Sequence, residues 1–270
     1  FSFVLEEFFF KIEVIKYKMF TINPFAVLSE IIPSIFIQSF VILMIGLIIV
    51  GTVMDMIHKK NVKYFFNNAK KAKKSATREL GTGERVSVIA KTVVYDIGTT
   101  SELGAGKRRV AHLLGMYGTV LFWVASVVMI FFYASTSSST PSLWPILWHA
   151  GAIMTVLGGA WFWFFLRVDV YSEAQPWYRI IQADLFVLAL IATSLFGLIW
   201  SYLQSLNLYG RWDDKVFLVL YIVSNLVLFG GVYWSKFAHM FYKPGAAIQK
   251  NLAEADGSRD NLPPEADAPE

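Results

Sequence analysis

Five apolar stretches of about 20 residues, at 33–55, 110–134, 144–166, 182–205 and 215–237, divide this chain. A helix needs about that many apolar residues to cross some 30 Å of hydrocarbon. No other run reaches helix length, apart from the N-terminal residues. The pattern predicts an all-α integral membrane protein, a five-transmembrane-helix bundle. It divides into an interfacial N-terminal extension over 1–30, a first transmembrane helix over 31–57 and a basic amphipathic loop over 58–109. A four-helix transmembrane bundle over 110–240 and an acidic, mobile tail over 241–270 complete it.

The polar connections carry unequal charge. The 58–109 loop holds thirteen Lys/Arg against four acids, Glu79, Glu84, Asp96 and Glu102, whereas the 135–143 loop is uncharged. Lysine and arginine stay on the cytoplasmic side in short loops. The expected orientation therefore places the N-terminus outside and the 58–109 loop, the 167–181 loop and the C-terminus in the cytoplasm. Residues 1–18 have no basic segment leading into a clean apolar core, so they do not read as a signal peptide, and Met19 reads as a start.

Composition narrows the chemistry. The 270 residues are 56% hydrophobic with no cysteine, and the mean hydropathy is +0.50. Disulfides, thiolate zinc sites, iron–sulfur clusters and thiol catalysis are thereby excluded. A redox centre here needs His or Met ligands, or a quinone. The span centres hold no Asp, Glu, Lys or Arg, which argues against a small transporter. Gly104-Ala105-Gly106-Lys107-Arg108 lacks the first glycine and the hydroxyl residue of a phosphate loop.

Within the long loop, Lys70, Lys71, Lys73 and Lys74 form a cationic segment after an aromatic start. Past a Gly-Thr-Gly turn at 81–83, Val86, Ile89, Val93 and Ile97 recur on one helical face, and Gly98 ends that helix. Two readings stay open and are compatible: a collar on anionic headgroups, or a docking platform for soluble subunits. The bilayer surface already accounts for the lysines, so no nucleic-acid role is expected.

Four histidines are present: His58, His112, His149 and His239. His112 follows Lys107, Arg108 and Arg109 at the start of one span, and His239 follows Lys236 at the end of another. Two imidazoles at one face, with cations for propionates and Gly115, Gly118, Gly230 and Gly231 to thin the helices, describe one b-type haem site. His58 is the reserve ligand. The alternative is interfacial histidines and ordinary glycine packing contacts. His149 lies at the opposite face with Trp144 and Trp148, as a quinone partner or as part of an aromatic belt. Span three ends in the ring-dense Trp161-Phe162-Trp163-Phe164-Phe165-Leu166-Arg167. With Arg179, Arg167 reads as a docking or propionate surface, or as a plain interfacial anchor. The tail beyond 251 is acidic and proline-rich, too polar to build a core.

Three features resemble one family: the basic-Arg-x-x-His opening at 107–112, the ending Ser235-Lys236-Phe237-Ala238-His239-Met240-Phe241-Tyr242-Lys243-Pro244, and the five spans. The family is the membrane cytochrome b subunits of the respiratory nitrate reductase type. Within that group, Asp55-Met56-Ile57-His58-Lys59-Lys60, Glu102 through Arg109 and Trp161 through Asp169 are similar to membrane anchors of dissimilatory adenylylsulfate reductase. The likeness runs from about Met19 to Pro244. It implies a non-catalytic subunit of an oxidoreductase complex, anchoring soluble cytoplasmic flavoprotein and iron–sulfur subunits and passing their electrons to quinone in sulfur oxidation. It carries an axial-ligand role onto His239 and His112. Two-haem members supply four histidines from two helices, and this chain does not, so at most one haem is implied. A non-redox scaffold for the same partners is the alternative, as is another cytochrome b subunit of this type.

Overall fold

The computed structural model describes residues 19–59, 61–103, 106–168, 176–235 and 239–258. Among these residues all regular structure is helical. Four helical segments, Ser34–His58, Lys107–Phe132, Leu143–Leu166 and Gln182–Ser205, are long and apolar enough to cross a membrane. The chain thus reads as a multi-pass membrane protein.

In chain order the helices are α1 (Pro24–Leu28), α2 (Ser34–Lys59), α3 (Asn61–Ser75), α4 (Thr82–Lys91), α5 (Lys107–Phe132), α6 (Leu143–Trp161), α7 (Leu185–Ser205), α8 (Trp212–Gly230) and α9 (His239–Ala255). A π-helical turn, Phe162–Leu166, extends α6, and another, Thr92–Ile97, extends α4. Gly98 closes the latter, as the sequence suggests. The 19-residue α8 has Asp213 and Asp214 in its first turn, followed by Lys215. It packs along α7 and completes the bundle.

Small residues set the tightest seam. A Cβ on Gly118 would meet Thr155 N at 2.7 Å and Gly151 O at 2.8 Å, and one on Gly158 would meet Gly115 N at 2.6 Å and Ala111 O at 2.7 Å. The antiparallel helices α5 and α6 therefore touch backbone to backbone, the packing that membrane helices favour when burial of apolar surface no longer drives them together. By contrast α2 leans loosely on the bundle. Only 11% of its most apolar window is buried, against 44% for the segment that contains α7.

Two boundaries differ from expectation. The N-terminal region is not merely interfacial, because Asn23, Phe25, Ala26 and Leu28 are buried. The Asn23 side chain caps α1 and donates to Tyr133 O at 2.8 Å and Thr140 Oγ1 at 3.1 Å. Phe25 then stands edge-on to Trp148 and Trp200, plugging that end of the bundle. At the other terminus, the expected tail from 241 is helical as far as Ala255. Asn251 Nδ2 donates to Thr92 Oγ1 at 2.8 Å and to Asp96, and Arg78 Nε donates to Ala255 O at 2.8 Å. Ala247 and Ala253 bury the helix's apolar side. Acidity concentrated beyond 251 hid this amphipathic stretch. Residues 259–270 lie outside the described residues.

Candidate functional site

A cavity opens between the loosely held α2 and the faces of α5 and α8. Its volume is about 340 Å³, within the range of small-molecule sites. Phe36, Ile45 and Val127 border it and are also among the exposed apolar side chains, so its mouth faces the surrounding lipid. The wall is apolar except at the floor, where Ser126, Tyr221 and Asn225 converge.

The floor follows from spacing. Tyr221, Ser224 and Asn225 stand at i, i+3 and i+4 on α8, so one inward face carries a phenol, a hydroxyl and an amide. The backbone absorbs part of their polarity: Ser224 Oγ donates to Leu220 O at 2.7 Å and Asn225 Nδ2 to Tyr221 O at 2.8 Å. The Tyr221 hydroxyl faces the side chains of Asn225 and Ser126. Ser126 Oγ donates to Phe122 O at 2.7 Å and accepts from Trp148 Nε1 at 2.9 Å. Trp200 stacks on Tyr221 with centroids 5.7 Å apart. A small ring carrying polar oxygens, entering from lipid, would find hydrogen-bonding side chains at one end and apolar walls elsewhere.

These floor residues went unrecognised in the sequence, although the adjacent Ser224-Asn225 pair inside an apolar run was a usable signal, since polar groups in hydrocarbon are costly. Asp55 was read only as part of a local resemblance, yet it is 1% exposed at the loop end of α2. It lies one turn past Gly51, whose Cβ would press on Val232 at 2.8 Å.

The residues expected to hold quinone sit elsewhere. His149 is fully buried. Its Nδ1 pairs with Pro145 O at 2.7 Å and its Nε2 with Ser201 Oγ at 2.9 Å. With both nitrogens engaged, and the rings of Phe20 and Trp148 against it, His149 clamps α6 to α7 and has no free edge for a ligand. Trp148 does not line the cavity but packs behind Phe25, Phe122 and Ser126, which do. Trp144 packs half-buried against the core.

Among the described residues the expected haem ligands His112 and His58 stand exposed. Gly118, expected to admit a macrocycle, is filled by the α6 backbone. Gly231 caps its own helix. A Cβ on Gly115 or on Gly230, by contrast, would meet nothing within 4 Å. His58 is bonded through Nδ1 to Met54 O at 3.0 Å, with its ring edge-on to Tyr233. Lys236 and the imidazole of His239 lie outside the described residues.

The cations divide by role. Arg167 is fully buried, so it offers no surface to a partner or a propionate. It pairs with Asp184, donates to Pro176 O at 2.9 Å and to Arg179 O at 2.6 Å, and lies 4.3 Å from the Trp163 ring centroid. The π-turn carries this guanidinium inward, and Pro176, Arg179 and Asp184 close over it. Arg179, Arg108, Lys70, Lys71, Lys73 and Lys74 are exposed. Arg109 is spent on Thr99 O at 2.8 Å. Asp96, at the junction of the loop with α9, has its carboxyl held below the ordinary range, chiefly by the Ser101 hydroxyl. Asn251, Lys250 and Lys91 act in the same sense. No family model, curated protein or solved structure matches this chain.

Proposed function

We propose that this chain is a quinone-binding membrane anchor, and that the lipid-open cleft over Ser126, Tyr221 and Asn225 is its quinone site. The cleft carries the reading: its mouth opens to lipid, its walls are mostly apolar, and the hydroxyl and amide groups that line it are gathered at Ser126, Tyr221 and Asn225. A quinone's isoprenoid tail belongs against such walls, and its carbonyl oxygens call for donors such as the Tyr221 hydroxyl and the second amide proton of Asn225. Reduction to quinol takes two electrons and two protons, and the electrons would come from soluble subunits. In this reading α8 is the fifth crossing and the 58–109 loop is cytoplasmic. Lys70, Lys71, Lys73 and Lys74 then form the docking face for a flavin and iron–sulfur reductase. The resemblance to adenylylsulfate reductase anchors of the bacterial inner membrane supplies that partner class.

A second reading, a non-redox scaffold, is favoured by one specific observation. Ser126 lies 19 residues along α5 from Lys107, about 28 Å from the loop end of the bundle. Electrons entering at that end would have far to travel. Titrating the detergent-purified protein with a short-chain quinone distinguishes the readings, because Trp123 and Trp200 line the cleft and report by fluorescence. Saturable quenching, weakened at least tenfold in Tyr221→Phe/Asn225→Ala, supports the quinone site. Unsaturable quenching that both proteins share leaves the scaffold. A dithionite-reduced minus oxidised spectrum addresses haem separately: a b-type band lost in His112→Ala would establish that ligand.

A further inference from the structure

The 82–97 arm, α4 with its π-helical extension, has an apolar edge that the protein itself leaves uncovered. The adjoining side is engaged: Thr92 and Asp96 meet Asn251 of α9. On the free edge, Val86 is 60% and Val94 63% exposed, with Ile89 and Val93 between them. These four recur at the spacing of one helical face. An unpartnered apolar strip of this length marks an interaction surface.

Two hydrogen bonds fix its depth. Arg109 Nε donates to Thr99 O at 2.8 Å, and the Tyr117 hydroxyl donates to Gly98 O at 2.6 Å. Tyr117 lies seven residues beyond Val110, where the apolar stretch of α5 begins, so its Cα is about 10 Å along that stretch. Helical side chains lean back toward the N-terminus, which sets Gly98 beside the first turns of the span. The end of the arm is therefore tied to the level where headgroups give way to acyl chains. Arg85, Lys91, Lys107 and Arg108 are exposed around it. Apolar residues on one edge and cations on the flanks match an anionic bilayer surface, whereas a soluble partner would have to reach the strip beneath the headgroups.

We propose that the 82–97 arm lies in the bilayer interface, with Val86, Ile89, Val93 and Val94 among acyl chains and Arg85, Lys91 and Arg108 against anionic lipid phosphates. This is independent of the quinone cleft. It leaves α3 as the loop element available to a protein partner.

The natural chain has no cysteine, so Val86→Cys, Val94→Cys and, as an exposed control, Glu79→Cys each take a single fluorophore. The full-length protein is reconstituted in phosphatidylcholine vesicles containing one quarter phosphatidylglycerol, without any partner. Labels at 86 and 94 should be quenched severalfold more by lipid carrying a nitroxide at carbon 5 than the label at 79, and severalfold less by aqueous iodide. Replacing phosphatidylglycerol by phosphatidylcholine should reduce the lipid quenching at both positions. Iodide quenching at 86 or 94 equal to that at 79 overturns the proposal and leaves the strip to a soluble protein. Quenching indifferent to lipid charge overturns the phosphate contacts. Both Val→Cys changes are small and at exposed positions, and an unchanged helical circular dichroism spectrum confirms the fold.

Discussion

Replacing Gly151 by alanine places a Cβ 2.6 Å from the Phe122 amide nitrogen, 2.7 Å from Gly118 O and 3.0 Å from Leu121 Cβ. Two of these neighbours are backbone, so no rotamer change relieves the overlap. To regain ordinary contact at 3.4 Å, α6 must withdraw from α5 by about 0.8 Å. A gap of that size forfeits roughly a quarter to a half of the dispersion energy of each contact along the seam. The Thr119–Thr155 hydroxyl pair, already 3.5 Å apart, separates as well. Overpacking of this kind costs about 1–3 kcal/mol. Alanine also gains about 1 kcal/mol of helix propensity over glycine, so the control is Gly46→Ala on α2, where a Cβ meets nothing within 4 Å. The propensity gain is common to both variants, and their stabilities should differ by the overpacking cost, about 1–3 kcal/mol. Denaturation by sodium dodecyl sulfate, followed by tryptophan fluorescence, measures it. Equal midpoints for the two variants would refute the backbone-to-backbone seam and reopen Gly118 as space for a cofactor.

Breaking the buried pair with Arg167→Met should cost about 3–5 kcal/mol, because the buried Asp184 loses its cation and keeps only the Ile181 amide as a partner. Arg167→Lys should rescue little of it, since an ammonium cannot reach Asp184 and two carbonyls in the guanidinium's fixed fork; the same denaturation assay reads both. His149→Leu should destabilise by about 1–3 kcal/mol through the orphaned Ser201 and Pro145 groups while leaving quinone affinity unchanged, and a parallel loss of affinity would return His149 to the site. The Asp96 pKa is depressed in the folded state, so its contribution is fully present above the unfolded pKa and fades as pH falls through the folded value. Hydrogen exchange of α9 should therefore accelerate on acidification below the ordinary carboxylate range, and that pH dependence should be absent in Asp96→Asn.

Four of the five expected spans were legible because a bilayer imposes one length on any apolar helix: 144–166 and 182–205, for example, correspond to the segments Leu143–Leu166 and Gln182–Ser205. The loop's two helices and the stop at Gly98 were legible from glycine and periodicity. The site was not. Histidines and arginines stand out in an apolar sequence, yet here His149 and Arg167 bond their own neighbours. Their engagement depends on Ser201 and on the 176–184 connection, partners that no local pattern reveals. Gly118 likewise looked like room for a ring, and only the register of α5 against α6 shows that Gly151 already occupies it. The cleft arises because α2 stands off from α5 and α8, a tertiary gap with no signature in any single span. Tyr221 and Asn225 were masked because an aromatic and an amide one turn apart are unremarkable until they share a cavity.

The most direct test of the quinone site is stoichiometric. Protein purified in mild detergent from its native membrane is extracted with organic solvent, and quinone is quantified by chromatography, in parallel with Val41→Trp, which fills the cleft from the α2 side. The account predicts about one quinone per chain in the natural protein and a severalfold loss in the variant, with helix content unchanged. Equal quinone in both, or none in either, would contradict it.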